Sequence, residues 1–345
     1  MQIQNQKRNR HVTAQWVIIL VLTILVPAAG CTQNMERKTM SKNNEQSITY
    51  GAGRFVIDIP VSMQFSGGYS LVDRDLTEMV RPNSDLNKEA LTEWDLSIQK
   101  IKRITPPAGK EIALIEEREI TGIGKWCKAA LYYHEPFDSE YGSLDLLLSS
   151  GKSVLWIRTR DKKIAAKDIV YGISSDLARA YRPPTSPNRR VEVIPGKDSF
   201  YLRYGAIDLP FEYEESVDIV FSGHSLDEEM SLEIETDVLQ EPETESLIDQ
   251  LTAIIVTKWA PGFEIDKIRT RKRTAAGLKG EEVVYLGTET DTNDKNYYFM
   301  WGYPGKKDDA HHPFIKISMS AKADRLEEKL ALWDAVLDSM RPAGR

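Results

Sequence analysis

Cysteine is scarce: Cys31 and Cys127 are the only two in 345 residues. A catalytic thiol needs an activating histidine beside it, and nothing in the sequence points to one for Cys127. Cys127 follows Trp126 at the start of an apolar run, so it is expected as a small buried hydrophobe. Positive charge is also short, with 45 Lys and Arg against 52 Asp and Glu. Residues 1–30 hold three of the basic residues, Lys7, Arg8 and Arg10, and no acid, so the remainder carries −10. An acidic surface argues against a nucleic-acid partner, whose phosphates require a basic footprint. It also argues against docking on anionic lipid, and it is compatible with a basic partner.

Patterns that carry catalysis or hold cofactors are missing as well. No glycine-rich loop suited to phosphate is present. The run Gly223-His224-Ser225-Leu226-Asp227 approaches a lipase nucleophile elbow. That elbow needs a second glycine where Asp227 stands, because its strained strand-to-helix turn leaves no room for a side chain. A polar turn is expected there, and no catalytic residue is assigned. Asp308, Asp309, His311 and His312 lie next to one another in a polar stretch, without the spacing that surrounds one ion. Asp291, Asn293 and Asp294 approach a calcium loop, but Lys295 falls where a third ligand belongs and the glycine is absent. No metal site and no cofactor are expected. Arg269, Arg271, Lys272 and Arg273 form a short basic run, read as alternation along a strand rim, with a partner contact as the alternative.

The N-terminus reads as a targeting segment over residues 1–30. A basic start precedes the apolar run Trp16–Val26, which is short for a membrane span and ends in small residues. Ala28-Ala29-Gly30 before Cys31 resembles a bacterial lipobox, although Ala28 stands where Leu is most usual. The expectation is cleavage before Cys31 and acylation of its thiol. The alternative is an ordinary signal peptide cut nearby. Thr32, in place of Asp, implies sorting to the outer membrane, hence a periplasmic lipoprotein. Residues 31–46 are polar and too poor in apolar surface to fold, so they read as a flexible tether.

The rest of the chain uses one plan twice. Gly53-Arg54-Phe55-Val56-Ile57-Asp58-Ile59-Pro60 answers to Tyr204-Gly205-Ala206-Ile207-Asp208-Leu209-Pro210. Each is an apolar strand ended by Asp, an aliphatic residue and Pro, which lacks the donor a strand needs. Gly122 and Lys125 before an apolar run to Tyr132 answer to Gly277 and Lys279 before Val283, Val284 and Tyr285. Arg182-Pro183 answers to Arg341-Pro342. Two domains follow, 47–186 and 187–345, about the number that length alone suggests.

Periodicity fills in the elements. In the first half it predicts a strand over Phe55–Ile59, a helix over Asp85–Leu91 and a half-buried strand through Trp94, Leu96 and Ile98. Hairpins follow over Ile112–Ile120 with Trp126–Tyr133, and over Leu144–Leu148 with Val154–Thr159. A helix over Ala165–Tyr181 closes this half. The second half offers strands at Phe200–Ile207, Val217–Phe221 and Met230–Ile234, then a helix over Glu243–Trp259. Ile265–Thr270 with Glu282–Leu286 and Tyr297–Trp301 with Phe314–Ser320 are hairpins, before a closing helix over Leu326–Met340. The fold class expected is α+β, with two similar domains, each an antiparallel sheet with helices packed on one face.

The lipoprotein signal, the two like halves and the repeated Asp-aliphatic-Pro strands resemble the type VI lipase immunity family, class four. The resemblance covers about Ser47 to Arg345 and rests on Gly53–Pro60, Tyr204–Pro210, Gly277–Tyr285 and the closing helix to Arg341-Pro342. It implies a non-enzymatic inhibitor whose partner is a cognate class-four type VI phospholipase effector. Such an inhibitor would grip the lipase with both domains and keep its active site closed. No individual partner-binding residue carries over. The alternatives are an envelope lipoprotein holding a small ligand between two lobes, and a lipase using Ser225.

Overall fold

The computed structural model describes residues 46–80, 85–185, 191, 193–194, 197–208, 214–241, 246–249 and 263–343. Cys31, the signal segment and the tether lie outside the described residues, as does most of the helix expected over Glu243–Trp259.

Each half opens with a hairpin, continues into six long strands and ends in a helix with a short strand. The first half contains β1 (Ser47–Ala52), β2 (Phe55–Pro60), β3 (Gln64–Leu71), β4 (Asp75–Met79), α1 (Leu86–Lys102), β5 (Leu114–Glu119) and β6 (Trp126–Tyr132). It ends with β7 (Tyr141–Ser149), β8 (Val154–Lys163), α2 (Lys167–Ala180) and β9 (Tyr181–Arg182). The second half contains β10 (Phe200–Tyr201), β11 (Ala206–Ile207), β12 (Glu215–His224), β13 (Asp227–Asp237) and β14 (Phe263–Ala275). It ends with β15 (Leu278–Glu289), β16 (Lys295–Tyr303), β17 (Phe314–Lys322), α3 (Leu326–Ser339) and β18 (Arg341–Pro342).

The long strands of both halves make one antiparallel sheet of twelve. From its middle outward the first half runs β3-β4-β8-β7-β6-β5 and the second runs β12-β13-β17-β16-β15-β14. The order is the same in both, as expected of a plan used twice. The two sheets are not separate, however: β3 and β12 pair through eight residues, from Glu215 opposite Leu71 to Ser222 opposite Gln64. Gly68 lies opposite Asp218, 150 positions on, the same offset that relates Asp58 to Asp208. A local two-fold axis therefore passes through this pair. Only glycine fits beside it. Gly67 has φ +112, and a Cβ there would come within 2.3 Å of the Asp218 carbonyl oxygen.

The helices are not confined to one face. On α1, Leu86, Ala90, Trp94, Ile98 and Ile101 pack on Ala130, Tyr132, Leu147, Val154 and Trp156. On α2, Val170, Tyr171 and Leu177 share a core with Cys127, Leu146, Leu155 and Ile157, the alternate residues of the same strands. Strands covered on both faces read as continuous apolar runs, and Leu144–Leu148 and Val154–Ile157 are nearly so. Trp94, Leu96 and Ile98 belong to α1, not to a strand. Their alternation coincides with a helical stripe, since Leu96 is half exposed while Trp94 and Ile98 are buried. Asp85 caps that helix by accepting from the Lys88 amide at 3.3 Å. Strands β3 and β4 went unanticipated because Ser66-Gly67-Gly68 breaks their apolar pattern.

The other expected hairpins and the helices closing each half form where periodicity placed them. The halves close on each other crosswise. Strand β18, at the end of the second half, pairs with β2 of the first. Strand β9, at the end of the first, pairs with β11 of the second. One continuous core holds Tyr50, Phe55, Ile57 and Leu71 together with Phe200, Ile207, Phe221 and Trp333.

Candidate functional site

The seam between the halves is built from the repeated motifs. Arg341 lies 3.3 Å from the Asp58 carboxylate, and Arg182 lies 3.2 Å from that of Asp208. The two motifs that mark the repeat, Asp-aliphatic-Pro and Arg-Pro, thus meet across halves. Thr49 donates to Asp58 at 2.6 Å, and its counterpart 150 positions on, Ser199, donates to Asp208. Beneath each corner sits a buried charge. Arg54 pairs with Glu215 and Asp198. Glu78 accepts from the Tyr181 hydroxyl at 2.5 Å and from the Tyr204 and Gly205 amides at 2.7 and 3.1 Å. Burial pushes Glu78 above the usual carboxylate range, against the pull of these donors.

One face of the central strands is lined with acids. Val217, Ile219 and Phe221 of β12 and Leu232 and Ile234 of β13 point into the core. The alternate residues, Asp218 and Val220 with Glu233, Glu235 and Asp237, point the other way. Asp218 lies directly opposite Glu235, and Val220 opposite Glu233. Like charges opposed across a ladder cost stability. Partial relief comes from Lys316, 3.4 Å from Glu235, and from Ser318, which donates to Glu233 at 3.2 Å. Burial and then Glu233 push the Asp218 carboxyl up; burial and then Glu235 push Asp237 up to about 6. A fold that keeps such a face has a surface suited to a basic partner. Alternation along β13 was visible in the sequence. The placing of Asp218 beside Glu235 was not, because register is a tertiary property.

The residues singled out in the sequence fall elsewhere. Ser225 is exposed in the two-residue turn between β12 and β13, an antiparallel hairpin rather than a strand-to-helix elbow. The neighbouring Asp227 accepts from the Lys322 amide at 2.7 Å and lies 3.5 Å from the buried ammonium of Lys329 on α3. Asp309 accepts from the amides of His311 and His312 and from the His312 ring, tying up its own loop. Among the described residues no group of three or more His, Cys, Asp or Glu is disposed to hold a metal ion. Thr292 donates to Glu289 at 2.7 Å, and Asn293 has φ +60, so Asp291–Asp294 form a hairpin turn. Arg269, Arg271 and Arg273 alternate along β14 and pair with Glu282, Asp334 and Asp338, which makes that run an internal ion-pair ladder. Cys127 is fully buried, and burial raises its thiol to about 12.

Residues 194–343 match the family model of the Tle cognate immunity protein 4 C-terminal domain. No curated protein sequence matches the chain. Among solved structures, the immunity protein TplEi of the type VI secretion system of Pseudomonas aeruginosa, in its apo form, superposes with TM-score 0.68 at 19% identity. The match covers 88% of this chain and 99% of that one. The Tle4-Tli4 complex contains a chain matched with TM-score 0.68 at 20% identity, over 88% of this chain and 99% of that one. TplEi complexed with a peptide designated "L" matches with TM-score 0.61 at 18% identity, over 87% and 99%. The fold is thus shared over nearly the whole described length, and the family model spans the second half from just before β10 to just after β18. From β10 to β18 the chain thus matches the Tle cognate immunity protein 4 C-terminal domain, within a fold similar to that of these immunity proteins.

Proposed function

We propose that the protein is an immunity protein that binds a type VI secretion phospholipase effector and holds its active site closed, gripping it with both halves. The observation that carries this reading is the family model over residues 194–343, set in a fold shared with immunity proteins along 88% of the chain. One of those neighbours is described in complex with Tle4, and another with a peptide. The acidic face of β12 and β13 supports a partner with basic contact residues. The hairpin setting of Ser225 supports inhibition rather than catalysis.

The test mixes the mature protein with the class-four type VI phospholipase of the same genome and follows hydrolysis of phospholipid vesicles. The wild-type protein and Ser225→Ala should inhibit equally, and neither should hydrolyse lipid alone. Undiminished hydrolysis would refute the reading. Association should slow as salt rises, since steering by the acidic face is screened.

The proposal extends to location. The basic start, the apolar run and Cys31 support a lipoprotein held in the periplasm on the outer membrane, where a lipase acting from that side would be met. Labelled fatty acid should enter the wild-type protein and not Cys31→Ser, and the variant should leave the membrane fraction or remain unprocessed.

A further inference from the structure

The two halves differ in the pairing beside the central strands. In the second half β12 and β13 stay paired from Ser216 opposite Asp237 to Ser222 opposite Ser231. Their counterparts β3 and β4 pair at only two positions beyond their turn, Tyr69 with Leu76 and Ser70 with Asp75. Past Ser70 toward its start, β3 remains on β12 down to Gln64, and past Leu76 toward its end, β4 remains on β8 to Met79. The sheet therefore splits between Gln64–Gly68 and Thr77–Met79. The kink at Gly67 turns β3 toward β12, where a Cβ would meet the Asp218 carbonyl oxygen, while a Cβ on Gly68 would have nothing within 4 Å.

Ladder geometry says which groups face the split. Leu71 and Arg74 exchange both amide-carbonyl bonds across the turn. In an antiparallel pair such exchanges alternate, so Tyr69 and Leu76 form the next bonded pair. The positions after it in each strand, Gly67 and Phe65 on β3 and Glu78 on β4, direct their amide and carbonyl groups into the split and have no ladder partner there among the described residues. Backbone groups in this state form a template for another strand. The open side of the split is flanked by the exposed carboxylates of Asp75 and Asp218.

Resting on the immunity reading, we propose that this split is a docking slot for one extended, basic segment of the effector, which adds as a strand between β3 and β4. Main-chain bonds to Phe65, Gly67 and Glu78 would supply affinity, and Asp75 and Asp218 would select basic side chains on the open face. The Glu78 carboxylate, already held by Tyr204 and Gly205, keeps β4 against the corner of the second half, so the slot has a fixed floor.

The experiment uses the full mature chain and the class-four type VI phospholipase of the same genome. Hydrogen exchange is followed with and without the lipase, and in parallel with overlapping 15-residue peptides that tile it. Protection should appear over 64–68 and 77–79 on complex formation, and one basic peptide should reproduce it. Gly68→Trp places an indole over the slot without touching the core, and should weaken binding at least about tenfold at unchanged melting temperature. A tight complex with no added protection in these two stretches, or one that Gly68→Trp leaves untouched, overturns the slot and leaves the immunity reading standing. Absence of any complex overturns both. If Gly68→Trp does not fold, the exchange result alone decides.

Discussion

Asp237 shows what the acidic face costs. Its carboxyl titrates near 6 in the folded protein, against an ordinary value of 3.8. Folding therefore favours its protonated form. That contribution is fully present below about pH 4 and is lost as pH rises through about 6. Asp237→Asn should stabilise the protein at pH 7.5 by about 1 kcal/mol after solvent screening, and by almost nothing at pH 4. Urea denaturation at the two pH values measures this, and a loss of stability at pH 7.5 would mean the carboxylate is held by a favourable contact. Cys127 gives a second expectation. With its thiol near 12 and no exposed surface, it should resist alkylation at pH 8 until the protein unfolds.

At the scale of elements, α1 is the one whose character the sequence misrepresented. Its hold on the sheet centres on Trp94, which stacks on Trp156 with ring centroids 5.8 Å apart and donates to Glu117 at 2.9 Å. Trp94→Ala should cost about 3–5 kcal/mol, read from chemical denaturation. The ladder on β14, where the arginines alternate along an edge strand as expected, is the other element that carries stability. Three arginines converge on Glu282, which is 0% exposed, and on Asp334 of α3. Glu282→Ala would leave those guanidinium groups without their buried partner. It should destabilise by about 3–5 kcal/mol, more than removal of an exposed pair such as Arg179–Asp176. Equal effects in denaturation would reject this assignment.

Over the whole molecule, the crosswise closure ties the halves together. Each closing strand lies on the opening hairpin of the other half, and the core runs through both. The protein should therefore unfold in one transition, with circular dichroism and tryptophan fluorescence coincident. Two separated transitions would show independent halves. Truncation after Met340 removes Arg341 from Asp58 and β18 from β2. It should accelerate hydrogen exchange in the first half, far away in sequence, over Phe55–Asp58.

The repeat, the hairpins β5-β6, β7-β8, β14-β15 and β16-β17, the closing helices and the family resemblance were legible in the sequence, because local periodicity and two short motifs carry them; the strand expected over Phe200–Ile207 is instead two short strands, β10 and β11, joined by a turn. Asp58, Asp208, Arg182 and Arg341 were all visible as motif members. That each Asp meets the Arg of the other half was not, since the chain holds no local signal for which half closes which. The continuous sheet, the second helical face and the split at Gly67 were likewise decided in three dimensions. Register between β3 and β12 depends on contacts about 150 residues apart, and Gly67 reveals its purpose only when the Asp218 carbonyl is beside it. The acidic face follows the same rule. Scattered acids along β12 and β13 become one face only after the ladder sets them side by side.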